Sequence, residues 1–313
     1  MTAANKRNAF QNFFFKRRKC WQLYALLLLP VIHLLIFSYY PMYGAQIAFR
    51  QFNPVQGITG SPWVGLDHFT RFVNLHMFRR VLSNTLIISL YQLAAGFPFP
   101  IILAFSIHYL TNKRFSKIVQ TVTFVPHLIS VVVMVSIIIQ FFQLRNGVIN
   151  NMLIYPLTGD RINFLGRPQY FRHIFVWTEI WQRAGFGAII FIAALAGIDP
   201  SLHESAKIDG ASKLQGIRHI DIPGILPTVV ILFLLQMGGI ISVGFERVYL
   251  LQNPMNLSVS EVIATYVYKV GLIAPIPQFS FAAAIGLFQS IVGATMLITV
   301  NQVVKKLGQN SLW

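Results

Sequence analysis

Six long apolar runs alternate with short polar segments along the chain. They cover 22–43, 84–110, 118–142, 173–196, 225–251 and 279–304. Each has about the 20 residues or more that an α-helix needs to cross the hydrocarbon core of a bilayer. The pattern predicts an all-α integral membrane protein with about six transmembrane helices spread over 22–304. A basic arm, 1–21, precedes them and a short tail, 305–313, follows. Gly96, Pro98 and Pro100 predict a kink in the second helix, because proline removes a backbone donor. Pro126 falls near the start of the third. Gly286 and Gly293 give the sixth the spacing of a helix-packing face. The first run follows Lys16-Arg17-Arg18-Lys19. It is too long for the apolar core of a leader and no small-residue cleavage site follows it, so it reads as a retained helix.

Composition agrees. Residues are 55% hydrophobic and only 11% charged, against about 25% charged in soluble domains. Mean hydropathy is +0.60. The net charge of +16 would suggest nucleic acid in a soluble chain, but here the basic residues flank apolar runs and no nucleic-acid motif is present. With both termini placed inside, the inner segments hold fourteen of the 25 basic residues and the longer outer loops nine. That bias puts the N- and C-termini in the cytoplasm. The single Cys20 excludes an intrachain disulfide framework or a cysteine-rich metal site. The eight histidines show no metal-binding spacing, and no metal is expected.

One inner loop, 197–227, differs from the others. Asp199 suits an N-cap with Pro200 at the first helical position. Gly210 suits the left-handed end of that helix. Ser212 with Gln215 fits a capping box for a second helix, which Pro223 should stop. Leu202 and Ala206 share a face of the first helix; Glu204 and Lys207 lie on another. Such a pair of short helices fits either a knob for a partner's groove or an amphipathic loop lying on the membrane.

The segment resembles the EAA loop of permease subunits in binding-protein-dependent ABC importers. The family pattern, Glu-Ala-Ala, three residues, Gly, nine residues, Ile-x-Leu-Pro, is met by Glu204-Ser205-Ala206, Gly210 and Ile220-Asp221-Ile222-Pro223. Ser205 and Ile222 are mild departures. Asp209-Gly210-Ala211-Ser212 matches the sugar-importer form, and Ser83-Asn84-Thr85 at the start of helix two is similar to the oligosaccharide branch. The chain looks most like the first permease subunit of importers for acidic saccharides such as alginate or aldouronates. The resemblance implies a type I importer permease in a bacterial inner membrane. It implies a coupling helix in which Leu202, Glu204, Ser205, Ala206 and Asp209 meet an ATPase subunit, Gly210 permits the bend, and Pro223 closes the motif. Its implied partners are a second permease in a heterodimer, two ATP-binding subunits, an extracytoplasmic solute-binding protein, an oligosaccharide and membrane lipid. The chain has no phosphate-cradling Gly-x4-Gly-Lys-Ser/Thr loop, so ATP and Mg belong to the partner and this chain is not an enzyme.

Charge inside a membrane helix is costly and faces a cavity or a partner. Glu179 and Arg183 share a face of helix four, and Glu246-Arg247 lie in helix five. Either these groups pair and fix packing, or they line a sugar path with Gln182 and Gln236. Arginine suits a carboxylated sugar because its fork binds carboxylate bidentately. An ion-driven secondary transporter would need acidic groups near the midplane. A membrane-embedded enzyme would need clustered catalytic groups, and no nucleophile–base set is present. Both rivals fit less well.

Overall fold

The computed structural model describes residues 21–306 and Gly308; most of the basic arm, with Lys16–Lys19 and Cys20, and most of the tail lie outside the described residues. The chain divides into two compact units, Met1–His68 and Phe69–Trp313. Among the described residues the secondary structure is helical apart from two isolated β-bridges. Five helices are long and apolar enough to span a bilayer, and a bent pair makes up to a sixth.

In the first unit, helix α1 (Trp21–Phe49) widens to a π turn at Leu35–Tyr39 and tightens to 3₁₀ geometry at Tyr43–Phe49. The loop after it folds on itself. The Arg50 guanidinium donates to the Ser61 carbonyl at 2.8 Å and lies 5.5 Å from the centre of the Trp63 ring. Phe49 stacks on the Trp63 ring, with centroids 5.6 Å apart.

The second unit holds α2 (His76–His108), the bent pair α3 (Lys113–Leu128) and α4 (Val131–Phe142), and α5 (Pro168–Ala196). After α5 come the short α6 (Pro200–Ile208), the spanning α7 (Lys213–Gly238), short α8 (Phe245–Leu251), α9 (Ile263–Ile273) and spanning α10 (Phe279–Lys306). Many large apolar side chains on these spans face outward, among them Ile102, Val122, Val132, Leu235 and Ile291. Water would not tolerate so much exposed hydrocarbon; lipid does.

Two expected helices are broken. The third, 118–142, is a pair meeting at 100°. Pro126 lies in a 3₁₀ turn, Ile129 is extended, and Ser130 caps α4 by accepting from the Val133 N–H. The fifth, 225–251, ends at Gly238; the chain then turns through Gly239 and restarts at Phe245. It also begins earlier than expected. Pro223 does not stop the second loop helix, because a π turn at Ile217–Asp221 runs directly into Ile222–Gly238. The wide turn makes room for the proline ring, whose missing N–H falls where the hydrogen-bond register changes.

Helix α5 is the packing centre. Phe171, Phe175, Val176 and Ile180 are buried with Ile88, Met134 and Val248 from other elements. Gly185 lies so close to the end of α3 that a Cβ there would fall 2.1 Å from the Thr123 carbonyl oxygen, and Gly187 meets Pro100 of α2. Gly293 similarly meets the Gly238 carbonyl, whereas Gly286 faces open space and makes no close contact. At the end of the spans away from α6, Asn84 donates to the Ser258 and Glu261 carbonyls and accepts from Arg172, while the Ile263 N–H donates to Thr85. Side chains thereby satisfy backbone groups that the membrane interior could not.

Gly185→Ala is expected to destabilise the protein by about 1–3 kcal/mol, the usual cost of overpacking, seen as a lowered melting temperature in detergent. Gly286→Ala, with nothing within 4 Å of the added methyl, should leave the melt within error of wild type.

Candidate functional site

The first candidate surface is the 197–227 loop. Asp199 caps α6 by accepting from the Ser201 N–H at 2.9 Å, and this bond holds its carboxyl below the usual carboxylate range. Gly210 adopts a φ of +76°, which only glycine takes readily. Ser212 and Gln215 form a reciprocal capping box. Leu202, Glu204, Ser205 and Asp209 project as exposed residues, while Ala206 is half-buried. Leu202, Ile208 and Leu214 are 52%, 86% and 75% exposed, so the loop presents an apolar knob ringed by charge. Pro223 stands away from that knob, inside the helix leading into the span.

Beneath the loop, Asp221 is fully buried. It accepts a short hydrogen bond from the Tyr109 hydroxyl at the end of α2. His203 Nε2 of α6 stands 3.0 Å from the other carboxylate oxygen, off the axis of a well-aligned hydrogen bond. Burial, then the Asp221 carboxylate, push the Tyr109 hydroxyl above its usual range, so it remains a donor. A cavity of about 340 Å³ adjoins this cluster, lined by His108, Lys207 and Lys213 among others.

The second candidate is a pair of cavities, about 300 and 210 Å³, sharing Gln92, Arg183 and Gln236. Glu179 and His127 line the larger, Ser89 and Ser242 the smaller. Arg183 Nε is 3.3 Å from Glu179 Oε1; the arginine is 65% exposed and the glutamate 6%. The other Glu179 oxygen and the Ser89 hydroxyl are buried without a hydrogen-bond partner. His127 stacks on Phe186 with ring centres 4.1 Å apart, giving the larger cavity a flat aromatic wall.

The six charged and amide residues singled out from the sequence separate here. Glu179, Arg183 and Gln236 line the cavities. Gln182 and Arg247 are buried together behind them: Arg247 donates a short hydrogen bond to Gln182 Oε1, and Gln182 Nε2 donates to the Ile129 carbonyl at 2.8 Å. Both ends of the Gln182 amide are therefore engaged, which does not suit a hydroxyl-binding role. Glu246 is exposed on α8 and lines neither cavity. Nearby aromatic side chains pack with neighbours: Trp177 donates to the Tyr91 hydroxyl, and Phe245 stacks on Tyr249. Ser89, Gln92, His127 and Ser242 were not visible in the sequence, because isolated polar residues in apolar runs carry no spacing signal. Among the described residues no group of three or more potential ligands could hold a metal ion.

Residues 96–308 match the model of the family described as binding-protein-dependent transport system inner membrane component. The polygalacturonan/rhamnogalacturonan transport system permease protein YteP of Bacillus subtilis is 39% identical, over 93% of this chain and 90% of that protein. A solved bacterial ABC transporter involved in import of the acidic polysaccharide alginate contains a chain 38% identical with a TM-score of 0.85, covering 94% of this chain and 99% of that one. A second structure, a bacterial alginate ABC transporter in complex with alginate pentasaccharide-bound periplasmic protein, gives 36% identity and a TM-score of 0.86, over 96% and 99%.

Gln182→Ala would leave a buried arginine without its acceptor and the Ile129 carbonyl without its donor. The expected cost is about 1–3 kcal/mol for each group left unsatisfied, read as a lowered melting temperature. Gln236→Ala, on the cavity wall, should melt as wild type does.

Proposed function

The chain belongs to the binding-protein-dependent transport system inner membrane components and is a permease subunit of a sugar ABC importer; from that premise we propose that its cargo is an acidic oligosaccharide and that Arg183 receives the sugar carboxylate. The observation carrying this is the cavity itself. It offers an exposed guanidinium tethered to Glu179, amides from Gln92 and Gln236, and the Phe186–His127 wall. A uronate carboxylate can take the bidentate face of Arg183. Sugar hydroxyls can pair with Gln92 and Gln236, and a sugar face can lie on the aromatic wall. The similarity to alginate and polygalacturonan permeases supports an acidic cargo.

The 197–227 loop is proposed to lie on the cytoplasmic side, with both termini, and α6 to be the coupling helix. The exposed Leu202, Ile208 and Leu214 around Glu204 favour insertion into a protein cleft. The partners are two ATP-binding subunits carrying ATP and Mg, a second permease in a heterodimer, and an extracytoplasmic binding protein that hands over the saccharide. Leu202, Glu204, Ser205, Ala206 and Asp209 would form the contact, Gly210 the bend, and Pro223 the entry into α7.

Two measurements on the reconstituted importer test this. Arg183→Ala should weaken uptake of acidic oligosaccharide by roughly 10–100-fold, the worth of one charge-assisted pair, and leave a neutral oligosaccharide little affected. Equal losses on both would remove Arg183 from carboxylate recognition. Glu204→Ala should hydrolyse ATP without moving sugar; normal sugar transported per ATP would count against α6 as the coupling helix.

A further inference from the structure

We infer that Asp221 is a positioning residue of the transport cycle, a single buried carboxylate that joins the coupling helix to the inner ends of two spans so that the three move as one body. Tyr109 belongs to the end of α2, His203 to α6, and Asp221 to the wide turn that starts α7. The three residues come from separate elements and meet at this carboxylate. Nothing local requires an acid there: the position sits in the Ile220-Asp221-Ile222-Pro223 run, between two apolar residues, where an apolar side chain would fill buried space without a desolvation cost.

A buried carboxylate is costly unless partnered, and a well-packed apolar replacement often stabilises such a site. Its value is therefore in fixing an arrangement. Coupling needs that: a push on α6 does work on the spans only if α6 cannot slide over them. The rest of the contact is slight. His203 lies 3.9 Å from where a Gly216 Cβ would be, and a cavity of about 340 Å³ separates Ala206, Lys207 and Lys213 from the end of α2. With open space on one side, packing alone does not lock the helix, and the Tyr109–Asp221–His203 link supplies the missing constraint. Ile198 packed on Gly224 holds the hinge side of the same loop.

The inference rests on α6 being the coupling helix. In the fully assembled importer, sugar transported per ATP hydrolysed is measured for Asp221→Asn, Tyr109→Phe and His203→Gln, with assembly and melting temperature recorded for each. The expected result is intact assembly, ATP hydrolysis within about twofold of wild type, and about a tenfold fall in sugar per ATP, within the usual span of coupling between sites. The double variant Tyr109→Phe/Asp221→Asn should be no worse than Asp221→Asn alone, because both break one link. Three outcomes overturn the proposal: unchanged sugar per ATP in Tyr109→Phe and Asp221→Asn, additive losses in the double variant, or failure of even Tyr109→Phe to assemble, which would make the cluster a folding element only. If Glu204→Ala is also fully coupled, the coupling-helix reading itself fails. If Glu204→Ala uncouples and these variants do not, only the link fails.

Discussion

A broken helix inside a membrane leaves carbonyls that lipid cannot satisfy, and the transmembrane unit is arranged around answering two such breaks. At the α3–α4 bend, Gln182 of α5 donates to the Ile129 carbonyl. Beyond the end of α7, Gln289 of α10 donates to the Ile241 carbonyl at 2.9 Å. In both cases an unbroken neighbouring span supplies an amide to the opened one, which is how irregular backbone survives at membrane depth. Gln182 serves twice, since its oxygen also accepts from Arg247 on α8. One side chain thus ties the first break to the segment that follows the second.

The same breaks make the cavities. Helix α7 stops at Gly238 and the chain turns away, and the smaller cavity is lined there by Gly239, Ile240 and Ser242. The bend after α3 leaves His127 on the wall of the larger one, stacked on Phe186. Polar side chains are tolerated on these walls because they face a space water or sugar can enter, not lipid. The buried Arg247 is a different case: it sits behind the wall with a neutral acceptor, and its contribution is to hold position rather than meet cargo.

Legibility in the sequence followed the range of each interaction. The loop at 197–227 was readable because its signals are local: Asp199 and Pro200 begin a helix, Gly210 ends it, and Ser212 with Gln215 begin the next. The membrane spans were readable because lipid demands long apolar runs. The breaks were not, since a hydropathy window averages over a 100° bend as easily as over a straight helix. Pro126 looks like an ordinary kink, and Gly238-Gly239 like small residues in a packed helix. Pro223 misled for the converse reason, because the π turn that accommodates it leaves no composition signature. The cavity's Ser89, Gln92 and His127 acquire meaning only when α2 and α3 meet α5. The pairing of Glu179 with Arg183 was visible as an i,i+4 spacing; the division of labour between Arg183 on the wall and Arg247 behind it was not.

Helix α5 connects these parts in a way that bears on mechanism. It carries Glu179 and Arg183 on the cavity wall, closes against α3 at Gly185, and ends at Ala196, three residues before the Asp199 cap of α6. Proline occurs in it only at the first position, and no π turn interrupts it. From Arg183 to Asp199 such a helix and its short exit span about 24 Å at 1.5 Å per residue. Helix α2, by contrast, contains Pro98 and Pro100, and α7 contains a π turn and Pro227. A continuous rod with an ion pair at its middle and, by the proposed function, a docking helix beyond its end can pass displacement in either direction, whereas the proline-containing spans beside it can bend. Under the proposed function, saccharide at Arg183 and a partner on α6 would act on the same rigid element, and coupling between them would need no chain of side-chain rearrangements across the membrane.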